Sequence, residues 1–185
     1  MSYRSFLLMY CFSLTVFGQW GKSTFSIGAG GGFPTGGELT STSQVPDSAA
    51  FSAAYEFRLF KYLAPEVGLM NLIPDVPQNN DGYPLPPSRA RVTLLSFGAH
   101  GILPLKQGRI ELLAGAGGAH VWATDNYDFF YYNAPRTIWQ VNGGARIALD
   151  KRRHFWIGPT VRFSRDGGRP TQEWVSFTGD FGFRF

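Results

Sequence analysis

The stretch EWVSFTGDFGFRF, Glu173 to Phe185, decides the fold. On an extended chain Val175, Phe177, Gly179, Phe181, Phe183 and Phe185 fall on one face, and Trp174, Ser176, Thr178, Asp180, Gly182 and Arg184 on the other. The period is two because successive side chains of a strand point to opposite faces. One face is apolar to its last residue, while the other carries both signs of charge. At the edge of an open sheet such a strand would aggregate. In a closed membrane barrel the edge disappears and lipid covers the apolar face.

The same alternation recurs upstream. Seven further runs read as strands: 23–33, 49–59, 63–73, 90–103, 109–123, 137–149 and 154–164. In the second, Phe51, Ala53, Tyr55, Phe57 and Leu59 oppose Ser52, Ala54, Glu56 and Arg58; in the sixth, Trp139, Val141, Ala145 and Ile147 oppose Gln140, Asn142, Gly144 and Arg146. Between the runs, connections alternate long and short. Residues 34–48, 74–89, 124–136 and 165–172 are long and rich in Pro, Gly, Asn and Asp, whereas 60–62, 104–108 and 150–153 are short turns. An up-and-down barrel with both termini on one side places all long connections on one rim. Transmembrane barrels keep short turns at the periplasm and long loops outside, and strands of roughly ten tilted residues span a bilayer. The expectation is an all-β, eight-stranded antiparallel up-and-down transmembrane barrel. Pro65 and Pro159 fall inside proposed strands. Pro65 lies near a strand start, and Pro159 predicts a bulge or local distortion in the seventh strand.

Composition agrees with this class. The 185 residues are 44% hydrophobic, 16% aromatic and 16% charged, with 23 Gly. Mean hydropathy is slightly negative, as expected where only every second strand residue faces lipid. Residues 1–18 have an Arg4-bearing n-region and an apolar segment from Phe6 to Phe17, and read as a secretory signal peptide cleaved after Gly18 or Gln19. Cys11, the single cysteine, lies inside it, so the mature chain has no thiol. The formal net charge of +4 falls to +3 once Arg4 is removed. Basic residues are dispersed, against a nucleic-acid partner; the one cluster, Lys151-Arg152-Arg153, reads as a solvated turn.

The polar faces collect Glu56, Arg58, Glu66, His100, Glu111, Arg146, Arg162, Asp180 and Arg184, together with Arg109, Gln140, Asn142 and Thr160. An eight-stranded barrel is just wide enough to be filled by side chains. These residues are therefore expected to form a lumen network of ion pairs and hydrogen bonds, with the strand glycines making room. A soluble lipocalin-like barrel shares the period with its apolar face inside. Aromatics at both ends of the apolar runs, among them Phe25, Phe155 and Phe183 at one end and Phe33, Trp139 and Phe163 at the other, favour a membrane.

With a signal peptide, eight alternating strands and a terminal Phe, residues 20–185 resemble the OmpA/OmpX-like outer-membrane β-barrel domain family. The family's C-terminal assembly signal has apolar residues at the last and third-last positions, which Phe185 and Phe183 match; Asp180 stands where the family has Gly, and Gly179 is one residue away. The resemblance implies the outer membrane of a Gram-negative-type bacterium, insertion by the barrel-assembly machinery through Phe181, Phe183 and Phe185, and a monomer in outer-membrane lipid. Fold alone does not decide function. The favoured role is structural or surface-interacting, through loop aromatics Tyr127, Phe129, Phe130, Tyr131 and Tyr132. The alternatives are a narrow pore, a lipid A-modifying enzyme and the soluble barrel. A deacylase needs a His beside a Ser near the outer rim, which His100, His120 and His154 do not supply. No metal, cofactor or nucleotide motif is present in the sequence; GAGGG at 28–32 lacks the Lys-Ser/Thr of a phosphate loop.

Overall fold

The computed structural model describes residues 22–37, 47–74, 91–124, 136–166 and 172–185. The leader and most of the four long connections lie outside these described residues. Eight strands follow in order: β1 (Ser23–Gly37), β2 (Ser48–Phe57), β3 (Leu63–Pro74), β4 (Arg91–Leu105), β5 (Ile110–Thr124), β6 (Arg136–Ala148), β7 (Phe155–Asp166) and β8 (Gln172–Arg184). Each pairs antiparallel with the next, and β8 pairs with β1 to close an all-β barrel. The seam is fastened at its lower end by reciprocal bonds between Ser23 and Phe185, N to O in both directions at 3.1 and 3.0 Å. Short turns cluster with the termini at the periplasmic end, and the long connections leave from the other.

Side chains sort by face as the period demands. Phe25, Ile27, Phe51, Val67, Leu69, Phe97, Val141, Ile157, Phe177 and Phe181 are exposed on the outside, while Glu56, His100, Glu111, Arg162 and Arg184 are buried inside. This arrangement inverts a soluble protein. Monomers in water rarely expose apolar patches beyond a few hundred Å², and here the apolar surface encircles the barrel. The soluble lipocalin-like alternative fails on this point, since it requires the apolar face inside.

Three prolines show how a closed sheet accommodates a missing N–H. Pro65 pairs with Ala99 of β4, but pairing with β2 stops one residue earlier, at Glu56–Glu66. Pro34 extends β1 beyond the expected end at Phe33; it pairs with Trp174 of β8 just before a register shift, and β2 has already ended opposite Gly32. At Pro159 the β6–β7 ladder is interrupted: Gly144–Thr160 and Ile147–Ile157 are partners, and the two positions between them are not. The register is the same on both sides, so the ladder skips two rungs without the inserted residue of a bulge.

Candidate functional site: the two halves of the lumen

The periplasmic half of the lumen is built on one carboxylate. The β5–β6 register sets Glu111 directly opposite Arg146, and Arg146 Nε donates to Glu111 Oε2 at 2.7 Å. Arg58, from just beyond β2, donates Nη2 to Glu111 Oε1 at 2.9 Å. Arg184 of β8 donates Nη2 to Oε2 at 2.9 Å and Nη1 to Oε1 at 3.3 Å. Glu111 is thus the acceptor of three guanidiniums and is 1% exposed. Trp156 lies within this layer: the Arg184 guanidinium sits 4.2 Å and that of Arg146 5.5 Å from its ring centroid. Its indole N–H donates to the Arg153 carbonyl at 2.7 Å, so the ring is held from the turn below.

One layer further in, Glu56 and Glu66 are direct cross-strand neighbours. Like charges so placed repel, and cations surround them. Arg146 forks onto Glu56 with Nη2–Oε1 at 2.8 Å and Nη1–Oε2 at 3.2 Å. Arg162 Nη2 lies 3.7 Å from Glu66 Oε1. His100 Nδ1 lies 3.4 Å from Glu56 and 3.6 Å from Glu66. Asp180 is reached differently. Thr160 Oγ1 donates to its Oδ2 at 2.6 Å, and its Oδ1 has no protein partner, nor has Arg162 Nη1. A cavity of about 40 Å³ lined by Glu66, Arg162 and Asp180 adjoins them, which is room for water, since a site needs only about 10–15 Å³ of such volume per molecule. Gly28 is a spatial requirement here, because a Cβ on it would overlap Asp180 Oδ1; Gly115 likewise makes way for the His100 ring.

All nine sequence-nominated lumen residues therefore point inward, eight of them into ionic contacts and Asp180 onto a hydroxyl. Arg109 does not join them; it lies exposed in the turn after the 3-10 segment Lys106–Gly108. Glu56, Glu66 and His100 bring three ligand atoms within 4.8 Å of one another, a grouping from three strands that sequence spacing does not reveal. The donor set does not fit a resident divalent cation. Both Glu56 oxygens are already bound by Arg146, and Arg162 stands beside Glu66. The lumen network holds four acids, Glu56, Glu66, Glu111 and Asp180, and four arginines, Arg58, Arg146, Arg162 and Arg184, so carboxylates and guanidiniums are matched in number, as buried charges require.

The outer half of the lumen is different, and sequence reading missed it. Ala50, Met70, Leu72, Val92, Leu94, Ala119, Val121, Ile138 and Trp174 form a buried apolar cluster inside the barrel. Leu94 is 0% and Leu72 1% exposed. In β4 the segment Val92-Thr93-Leu94-Leu95 is apolar on both faces near the rim, so its inward pair Val92 and Leu94 could not be told from its lipid-facing neighbour Leu95 by polarity alone. Below this cluster Gln140 Nε2 donates to Ser164 Oγ at 3.0 Å, marking the change to polar packing.

Outside, Phe181, Phe183 and Phe185 join Phe155 in a ladder of rings with centroids 5.3–6.0 Å apart. The outer rim carries Trp139 against Phe163 at 5.5 Å and His120 edge-on to Trp122 at 4.6 Å. The histidines are thereby accounted for: His100 faces carboxylates, while the Ser96 hydroxyl donates to the Gly68 carbonyl at 3.2 Å rather than to the imidazole. His154 sits near Phe183 at the periplasmic turn. The loop aromatics Tyr127, Phe129, Phe130, Tyr131 and Tyr132 lie outside the described residues.

The periplasmic end also gathers what the sequence disperses. Besides Arg58, which is paired with Glu111, the bases Lys22, Lys61, Lys106, Arg109, Lys151, Arg152 and Arg153 lie in the short turns or beside β1, against Asp150 alone. The long connections 34–48, 74–89, 124–136 and 165–172 carry seven acids and four bases. The barrel is therefore positive at its periplasmic mouth, whereas the long connections are acidic in composition.

No family model and no curated protein sequence matches the chain. Solved structures do. Neisserial surface protein A is similar at TM-score 0.61 and 10% identity over 89% of this chain and 96% of that one. The N-terminal β-barrel domain of Pseudomonas aeruginosa OprF is similar at TM-score 0.59 and 12% identity, over 89% and 97%. Ail, the attachment invasion locus protein of Yersinia pestis, is similar at TM-score 0.57 and 14% identity, over 90% and 99%. At these identities the likeness is one of fold: the chain has the fold of the small eight-stranded outer-membrane barrels.

Proposed function

We propose that this chain acts in the outer membrane as a sealed barrel that meets other molecules through its long outer connections. One observation carries the reading: the lumen is filled twice over, by the Glu111-centred charge layer and by the apolar cluster beneath the outer rim. A barrel filled in this way has no continuous water path, which argues against a pore. What remains available for contact is the outer rim. The aromatics Tyr127 and Phe129 to Tyr132 are the residues we assign to it, since aromatics are enriched at contact sites and these five cluster in one long connection. The likeness to Ail, whose name describes attachment and invasion, supports a surface role. We take residues 1–18 as the export signal, Phe181, Phe183 and Phe185 as the element read by the assembly machinery, and the mature barrel as a non-enzymatic monomer.

The test is cell binding. Bacteria expressing the protein should adhere to host cells or extracellular matrix more than bacteria lacking it, and replacing Phe129, Phe130, Tyr131 and Tyr132 together by Ser should abolish the gain. Heat-modifiable gel migration serves as the check on barrel assembly. Unchanged adhesion by an assembled quadruple variant would refute the contact reading.

A further inference from the structure

We propose that the periplasmic mouth is a binding site for a small, multiply charged oxyanion of the phosphate class, taken from the aqueous periplasm. The mouth is a concave vestibule of about 590 Å³, a size typical of small-molecule sites. Its walls come from the turns, as Lys22, Lys61 and Arg153, and its floor from the lumen, as Arg58, Arg184 and Glu111. Five cations thus converge on it with one carboxylate. That carboxylate's side chain is only 2% exposed and is saturated by guanidiniums, so the surface offered to solvent is positive. Apart from the Glu111 cluster, this end of the barrel has seven bases and one acid in its turns and beside β1, and a concave site within such a field concentrates anions.

The wall is also shaped. Arg153 has φ 61, a left-handed conformation uncommon for residues other than Gly and often associated with function. It is held there from several sides. Its carbonyl accepts the Trp156 indole N–H at 2.7 Å, and Asp150 accepts the backbone N–H of Arg152 at 3.1 Å and of Phe155 at 2.9 Å. The guanidinium then reaches across to the β4–β5 turn, where Gly108, itself at φ 79, leaves it space; a Cβ there would stand 3.0 Å from Arg153 Nη1. Two turns are in this way fitted to one another around a cation. Location separates the two sources of phosphate. A phospholipid headgroup lies in the leaflet around the barrel, whereas this vestibule opens under the barrel axis, with lumen side chains as its floor. A soluble anion fits that position.

The experiment titrates pyrophosphate calorimetrically into the protein extracted from outer membranes in a neutral maltoside detergent. Saturable one-to-one binding that weakens with added salt is expected. The variant Lys22→Gln/Lys61→Gln/Arg153→Gln should bind about tenfold or more weakly, from three lost ion pairs. The matched variant Lys106→Gln/Lys151→Gln/Arg152→Gln removes three bases that do not line the vestibule and should stay within about threefold of the parent, as expected for exposed charges screened by salt and out of contact with the anion. Heat-modifiable migration checks that each barrel is closed. Absence of saturable binding, or equal weakening in the two variants, would overturn the proposal in favour of a diffuse field. In nanodiscs, pyrophosphate affinity should be the same in phosphatidylcholine with and without phosphatidylglycerol; loss of binding with phosphatidylglycerol would assign the site to lipid headgroups and overturn the soluble-anion assignment.

Discussion

The two halves of the lumen fill the same cylinder by opposite means. Toward the periplasm, Glu111 holds Arg58, Arg146 and Arg184 in fixed directional contacts, while Arg146 pairs with Glu56, Arg162 with Glu66, and His100 stands between the two acids. Toward the outer rim, Met70, Leu72, Leu94, Ile138 and Trp174 occupy the space by shape alone. A charged interior tolerates no missing partner, because a buried charge left alone keeps its full desolvation penalty. An apolar interior responds to volume and has no preference for which atoms supply it. The difference teaches that a barrel of this width can be closed by pairing or by packing, and that the two closures fail under different substitutions.

The largest effect should come from Glu111→Gln, which keeps the shape and removes the charge. Three arginines then lose their shared partner, at a cost of about 3–5 kcal/mol, read as a fall in the urea midpoint of the detergent-solubilised barrel. The matched substitution in the other half, Leu94→Met, should cost less than about 1.5 kcal/mol. If both cost the same, the contrast between pairing and packing is wrong.

Leu72→Ala sharpens the apolar side. A buried side chain truncated in this way should cost about 2–5 kcal/mol. Planar-bilayer recordings of the same variant should stay silent, as for the parent barrel, because the Glu111 layer below still closes the lumen. Steady conductance from the unsubstituted barrel would defeat the sealed-lumen reading altogether.

Asp180→Asn tests whether every inward acid matters equally. Asp180 accepts one hydroxyl, and an amide oxygen can do the same, so the loss should be no more than about 1–2 kcal/mol in the same urea measurement. A loss as large as that of Glu111→Gln would place Asp180 in the ionic layer.

The smallest effect belongs to the turn below both halves. The Phe155 backbone N–H, with smaller contributions from those of His154 and Arg152, holds the exposed Asp150 carboxyl below its ordinary value. A depressed folded-state value means the contribution is present above the unfolded value and is lost as pH falls through the folded one. The parent should therefore lose stability in that acidic window relative to Asp150→Asn, with the two curves parallel above it.

The legible part of this molecule is the part with period two. Phe177, Phe181 and Phe183 against Ser176, Asp180 and Arg184 imply a strand with a lipid face and a lumen face, whatever its neighbours are. The long and short connections give the order and the two rims. Glu56, Glu66, Glu111 and the arginines could be nominated for the lumen because charge has nowhere else to go in such a strand. Val92 and Leu94 share the inward parity of Ser96 and His100, but polarity does not mark them as an outer plug, because they stand beside the equally apolar Leu95. The positive mouth was invisible for another reason: Lys22, Lys61 and Arg153 are far apart along the chain and meet only around a closed rim.

Sequence alone thus determined the strand count, the alternation and the separation of an apolar from a polar face, since these follow from local stereochemistry, and the rim aromatics favoured the apolar face outward. Tertiary structure alone decided that Glu111 is the acid shared by three arginines, that Glu56 and Glu66 stand side by side, and that Pro159 removes two rungs without shifting the register. Those facts depend on the stagger between neighbouring strands and on closure of β8 onto β1. Both are cooperative properties of the whole sheet, which no single stretch such as Glu173 to Phe185 contains.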